Sequence, residues 1–348
     1  MNSAKKDHVI KISKAQLLLG FFIFFALFGC TKTDNTVSIS GYTMGTTYSI
    51  QIINEDKYDI DQNELKLKID SVLTALNQQM STYIENSEIS IFNNRTDNAW
   101  QQISREFYTV LDESIKISRL TEGAFDITVG PLVELWGFGT AGQVDWQPPT
   151  AAEIEAVKSS IGFNNIEINV QEVRKNNVDT VIDLNAIAKG YGVDVVFNYI
   201  SKLGFKNILV EIGGEVRCSG LNRNKEFWKI GIDKPILEIL PGSDLQAIIA
   251  LNNSALATSG DYRNYFIYND KLYSHTINPT TGYPIENGVA SASVIALNCM
   301  TADAFATALM VMGKKGIGLI EKLENVEALI IERIGSDEFE VTKSSGWN

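Results

Sequence analysis

Residues 183–220 read DLNAIAKGYGVDVVFNYISKLGFKNILVEIGGEVRCSG, and this stretch decides the fold class. A helix is expected from about Ala186 to Leu203. The apolar run Ile208 to Ile212 then forms a buried strand, closed by the turn pair Gly213-Gly214. Upstream, Val37 to Ile53 alternates apolar and polar residues around a Met44-Gly45 break and predicts a hairpin. Helical periodicity runs through Asp61 to Met80 (Leu65, Ile69, Val72, Leu73, Leu76) and again through Ile103 to Leu120. Thr150 to Gly162 predicts a further helix, opened by the capping box Thr150 and Glu153. Short strands are expected at Ile166 to Val170 and Thr180 to Asp183.

Downstream, residues 226–300 are mainly β, with turns at Pro241-Gly242, Asn252-Asn253 and Asn269-Asp270. A helix at Thr301 to Met312 and a β-α-β ending complete the chain. Helices and strands mix without regular βαβ alternation. The class is therefore α+β, with largely antiparallel sheets and packed helices. Two sub-domains with a ligand cleft between them are the alternative arrangement.

The 348 residues, 45% hydrophobic and 21% charged, suffice for a sizeable core. A formal net charge of −12 without a basic block excludes nucleic acid as a partner. The amino terminus differs from the rest. Lys5, Lys6, Lys11 and Lys14 precede the apolar run Leu17 to Gly29. As a helix that run would reach roughly 20 Å, short of the ~30 Å hydrocarbon core of a bilayer. It reads as an export signal. The run ends in Leu27-Phe28-Gly29-Cys30, and a cysteine at that junction resembles a bacterial lipobox. The expected organisation is a signal peptide at 1–29, a lipidated tether at 30–37 and a folded domain at 38–345. The protein would then be an exported lipoprotein, membrane-anchored on the periplasmic side, with Cys30 as its lipidation site. Cys218 and Cys299 lack metal-ligand spacing and are expected as buried free thiols. After removal of residues 1–29, His275 is the one histidine left.

Asp303 and Thr307 lie one turn apart on a predicted helix, about 5–6 Å from each other on one face. A carboxylate and a hydroxyl suit a hard cation such as Mg2+. Equally, Asp303 could cap the helix start and Thr307 bond back to the preceding turn. Asp183 to Gly190 joins an acid, a helix start and Lys189, a pattern that suits an anion or an ordinary capped helix.

Eight glycine-flanked polar segments follow one another: MGTTYSI (44–50), MSTYIENSEIS (80–90), TEGAFDITVGPLVELWGFG (121–139), DLNAIAKGYGVD (183–194), LVEIGGEVRCSG (209–220), ATSGDYRNY (257–265), SHTINPTTGYP (274–284) and TADAFATAL (301–309). In order and spacing they resemble the ApbE family of FAD:protein FMN transferases over roughly residues 38–335. The resemblance implies Mg2+ on Asp303, Thr307 and the carbonyl of Ala186, with Ala306 a further member. It also implies a FAD site lined by Met44, Tyr83, Ala124, Phe125, Asp126, Asp183, Lys189 and His275, with His275, Lys189 and Asp303 in catalytic roles. The family more often has aspartate where this chain has Asn278.

The implied reaction is attack by a protein threonine or serine hydroxyl on the flavin-side phosphorus of FAD, with AMP leaving. The acceptor segment implied is Asp-x-x-Ser/Thr-Gly-Ala-Thr-like, on membrane redox-complex subunits. Ser40-Gly41-Tyr42-Thr43 matches it imperfectly, so another protein is the expected acceptor. A FAD pyrophosphatase and a non-catalytic FAD-binding lipoprotein are the competing readings.

Overall fold

The computed structural model describes residues 35–55, 60–139, 146–238, 240–262, 264–269, 271–335 and 338–347. The export signal, Cys30 and Arg263 lie outside the described residues. From Thr36 onward the chain forms one compact unit, so the ligand cavity lies within a unit and not between two sub-domains.

The fold opens on strands β1 (Thr36–Thr43) and β2 (Thr46–Ile53). Met44 and Gly45 connect them with φ of 50° and 72°, the left-handed pair that a two-residue hairpin needs. Next come α1 (Gln62–Met80), α2 (Glu88–Asn93), β3 (Gln101–Gln102), α3 (Arg105–Leu120), α4 (Gly130–Leu135) and α5 (Ala151–Lys158). Strands β4 (Ile166–Asn169) and β5 (Glu172–Lys175) lead into α6 (Ala188–Lys202), β6 (Ile208–Ile212) and β7 (Glu215–Ser219). The remainder is β8 (Trp228–Asp233), β9 (Leu245–Leu251), β10 (Ala255–Gly260), β11 (Tyr265–Tyr268), β12 (Lys271–Ser274), β13 (Val289–Ala296), α7 (Cys299–Met312), α8 (Ile317–Ile320), β14 (Glu327–Arg333) and β15 (Phe339–Lys343).

The main sheet is antiparallel, in the order β1-β2-β6-β7-β10-β13-β14-β15. Strand alternation divides its side chains between two cores. Ile208, Val210 and Ile212 of β6 pack with α1 and α6, whereas Leu209 joins Trp228, Ile249 and Leu251 of the β8–β9 ribbon on the other face. In β14, Ala328 and Ile330 likewise face α7 while Leu329 and Ile331 face the ribbon. Trp347 is buried in that second core, so the packed unit extends from Thr36 to Trp347, slightly beyond residues 38–345. Cys218 and Cys299 are buried free thiols.

Two predicted elements differ. Residues 180–183 form no strand. Asn93 instead holds that segment extended, accepting from Ile182 N at 2.7 Å and donating to Ile182 O at 2.8 Å. The partner of β4 is β5, reached through a turn at Gln171 with φ of 55°. The β-α-β ending is also absent. Residues 313–320 are helical, with Ile317 and Ile320 packed on the main core, and β14 and β15 then form an antiparallel pair.

Candidate active site

The site depends on a close approach of α6 to α7. A Cβ on Gly190 would lie 2.4 Å from the carbonyl oxygen of Cys299 and 2.8 Å from the Cβ of Asp303. Glycine is therefore what lets the two helices meet here. Gly190→Ala is expected to destabilise the fold by about 1–3 kcal/mol, the ordinary cost of overpacking. A lowered urea midpoint checks this; an unchanged midpoint contradicts it.

The start of α7 is already satisfied without Asp303. Asn298 accepts from Thr301 N at 2.8 Å, and the Asp194 carboxylate accepts from Cys299 N and Met300 N, both at 2.9 Å. Arg217 pairs with that carboxylate at 2.7 Å. The capping reading of Asp303 therefore falls. Its carboxylate is buried, and Oδ2 accepts from Gly190 N at 3.0 Å. Thr307 Oγ1 lies 3.2 Å from Ser259 Oγ on β10.

Lys189 Nζ lies 3.0 Å from Glu215 Oε1 and 3.8 Å from Asp303 Oδ2. Burial works against the ammonium, but Asp303 and Glu215 more than offset it, so the lysine pKa lies above its ordinary value. Burial pushes the Glu215 carboxyl up, with Lys189 opposing. The Gly213-Gly214 turn, with φ of 63° and 105°, delivers Glu215 to this position at the start of β7.

These groups line a cavity of about 460 Å³ together with Ala124, Phe125, Asp126, Asp183, Ala186 and His275. Apolar side chains such as Ile127, Val133, Leu256 and Ile277 form much of the remaining wall. Asp183 closes a tight turn, accepting from Asn185 N at 2.7 Å, and burial raises its pKa. His275 Nδ1 lies 3.0 Å from the carbonyl oxygen of Asn264. A carbonyl only accepts, so Nδ1 carries the hydrogen and Nε2 of the neutral ring is an acceptor. Burial lowers the His275 pKa, with the Asn264 bond and Asp261 acting in the opposite sense. Asp261 is itself buried and paired with Arg333 at 3.1 Å.

Some expected members are used differently or lie outside the lining. The carboxylate of Asp126 is used structurally: Oδ1 accepts from Thr128 N and Oγ1 at 2.8 and 2.6 Å, and Oδ2 from Phe163 N at 2.9 Å. The Phe125 ring is buried in the core. Ala306, rotated off the Asp303–Thr307 face, is also core. Met44 sits at the hairpin tip, its methyl 3.1 Å from where a Gly192 Cβ would be, and lies outside the cavity lining. Tyr83 is 67% exposed on the turn after α1, which Ser87 Oγ ties to Ser81 O, and it also lies outside the lining. Asn278 has a turn role, its Oδ1 accepting from Thr280 N at 2.9 Å. Glu215 and Ser259 were not singled out from sequence. An acid directly after paired glycines was the available signal for Glu215.

Fold and site together define an α+β protein with a largely apolar cavity in which the charged groups Lys189, Glu215 and Asp303 meet. The chain belongs to the ApbE family, whose model matches residues 44–330. It is 43% identical over 319 residues to the FAD:protein FMN transferase of Vibrio cholerae serotype O1, covering 92% of this chain and 94% of that one. The Haemophilus influenzae FAD:protein FMN transferase is 39% identical, with 92% of each chain covered. Among solved structures, the flavin transferase ApbE from Vibrio cholerae superposes with a TM-score of 0.81 at 42% identity, covering 90% of this chain and 98% of that one. The apo Pseudomonas stutzeri flavinyl transferase ApbE gives 0.79 at 31% identity, covering 90% and 95%.

Proposed function

We propose that this protein is a FAD:protein FMN transferase that moves the FMN part of FAD onto a threonine or serine hydroxyl of another protein. The observation that carries this reading is the convergence of Lys189, Asp303, Thr307 and His275 on one cavity in an ApbE-family chain. The acceptor oxygen bonds to the flavin-side phosphorus, the bond from that phosphorus to the bridging oxygen breaks, and AMP leaves with the electron pair. Such a transfer needs positioning and charge neutralisation more than covalent help.

The residues fit a magnesium ion. Asp303 offers a carboxylate, Thr307 a hydroxyl and Ala186 a main-chain carbonyl, hard oxygens on three residues that line the cavity. The amide of Gly190 bonds Asp303 through Oδ2, which leaves Oδ1 for a cation. Among the described residues no group of three His, Cys, Asp or Glu forms a cage. An open site that shares its ion with substrate phosphates is the arrangement that suits Mg2+. A magnesium ion held by Asp303, Thr307 and Ala186 would supply charge neutralisation for the phosphates. Lys189 supplies a fixed positive charge beside that site. Ser259 orients the Thr307 hydroxyl. His275 Nε2 accepts the proton of the attacking hydroxyl, as the Nδ1–Asn264 bond fixes the tautomer this requires.

The acceptor belongs to another protein, with an Asp-x-x-Ser/Thr-Gly-Ala-Thr-like segment. The in-chain near match supports this for one of its two hydroxyls: Thr43 is buried and its Oγ1 accepts from Asn77 Nδ2 at 3.0 Å, whereas Ser40 is exposed on β1.

The chain is also proposed to be an exported lipoprotein held on the periplasmic side of a membrane through Cys30. No helix among the described residues is long and apolar enough to cross a membrane. The proposal thus rests on the Leu27-Phe28-Gly29-Cys30 junction. Cys30→Ser is expected to abolish lipidation and release the protein to the soluble fraction with full transfer activity. Mass spectrometry finding an unmodified Cys30 in membrane-extracted wild type contradicts the anchor.

A further inference from the structure

Glu215 has one carboxylate oxygen, Oε2, that is fully buried and yet has no hydrogen-bond partner among the described residues. Its Oε1 accepts from Lys189 at 3.0 Å. The residue is 4% exposed and lines the cavity. On its far side Lys189 stands 3.8 Å from Asp303 Oδ2. One ammonium is shared unequally between two carboxylates, and Glu215 holds the larger share.

We propose that Glu215 is a positioning residue that keeps the Lys189 ammonium off Asp303, leaving Asp303 open to a divalent cation. The inference rests on the reading of Asp303 as a cation ligand. Attraction between unit charges grows as they approach and as water is excluded. An ammonium with Asp303 as its sole partner would close onto it, and an entering cation would have to displace it. Glu215 prevents this from a rigid base. It begins β7 directly after the left-handed Gly213-Gly214 turn, and that turn also bounds the lysine stem, with Lys189 Cδ 3.4 Å from where a Gly213 Cβ would lie. The charge count agrees. Lys189, Glu215 and Asp303 carry one positive and two negative charges, so pairing Lys189 with Glu215 leaves one full negative charge at Asp303.

Two rival roles give the same single-variant result: Glu215 as a direct ligand, or as a distant negative charge. A double variant separates them. Mn2+ serves as the probe, titrated into the purified protein and followed by the electron paramagnetic resonance of free Mn2+. Glu215→Gln is expected to weaken Mn2+ binding about tenfold or more, as the ammonium transfers to Asp303. Adding Lys189→Met to that variant is expected to restore binding to within about threefold of wild type, because the competitor is gone. Wild-type affinity in Glu215→Gln overturns the proposal. So does a double variant that binds as weakly as Glu215→Gln, which would make Glu215 a ligand or a field source. Asp303→Asn in the same titration should abolish binding. If it binds Mn2+ as wild type does, the cation reading of Asp303 fails; if it does not while Glu215→Gln is unaffected, only the role of Glu215 fails. Thermal melting checks the fold of each variant. If Glu215→Gln does not fold, Glu215→Asp, which withdraws the carboxylate by one methylene, carries the same test with the same expected rescue by Lys189→Met.

Discussion

Asp303→Ala is expected to slow covalent flavin transfer by at least about a hundredfold, the scale of losing one preorganised electrostatic contact. Asp303 is the one carboxylate in the proposed ligand set, and it is buried, so no surface acid can stand in for it. Its removal leaves Lys189 as the main positive charge facing the pyrophosphate. The substitution also deprives Gly190 N of its acceptor, which by itself costs stability. Asp303→Asn separates the two effects, since the amide oxygen still accepts from Gly190 while the charge is lost. Both variants are expected to lose transfer; only the alanine variant should also melt earlier. FAD binding should weaken less than transfer, because the apolar wall of the cavity is untouched. Thr307→Ala should show a milder loss, a hydroxyl being a weaker ligand than a carboxylate. Transfer by Asp303→Asn at the wild-type rate, or a wild type indifferent to chelator, would remove the metal from the account.

His275→Gln is expected to lower the transfer rate by about a hundredfold to ten-thousandfold, the range for losing a general base. Glutamine keeps the size and a hydrogen bond to the Asn264 carbonyl but cannot accept the proton productively. The pH profile carries the sharper signature. Burial lowers the His275 pKa, so the ring stays neutral to a lower pH than an ordinary histidine. Wild-type activity should therefore hold through neutral pH, decline only below the ordinary histidine range, and decline because the base becomes protonated. His275→Gln should lack that acid limb. An unchanged profile in the variant would assign His275 a packing role against Phe138, whose ring centroid lies 6.3 Å away.

The regular elements were legible wherever a local signal and the tertiary environment agreed. The Met44-Gly45 turn, the Thr150–Glu153 capping box and the amphipathic helices α1 and α3 all formed as read. Residues 180–183 misled because their β-branched Thr-Val-Ile run suits an extended chain, while the hydrogen bonds that extend it come from the Asn93 side chain, 89 residues away. No local pattern reports such a partner.

The same division applies to the site. Asp303, Thr307, Lys189 and His275 are brought together as the motifs implied. Tyr83, Met44 and Ala306 are not, because a motif names residues without stating which way each side chain turns. Glu215 was hidden for the converse reason. Its importance lies in proximity to Lys189, and that depends on a helix crossing permitted by Gly190 and a turn built on Gly213 and Gly214.

The central claim is transfer of FMN to a protein hydroxyl, and one measurement addresses it directly. Purified protein is mixed with FAD, Mg2+ and an acceptor domain carrying the Asp-x-x-Ser/Thr-Gly-Ala-Thr segment, then resolved by denaturing electrophoresis while AMP is quantified. The predicted result is a fluorescent band at the mass of the acceptor, with one AMP released per flavin attached. Release of FMN and AMP without a fluorescent acceptor would make the protein a pyrophosphatase, and intact FAD with no product would make it a carrier; either result contradicts the account.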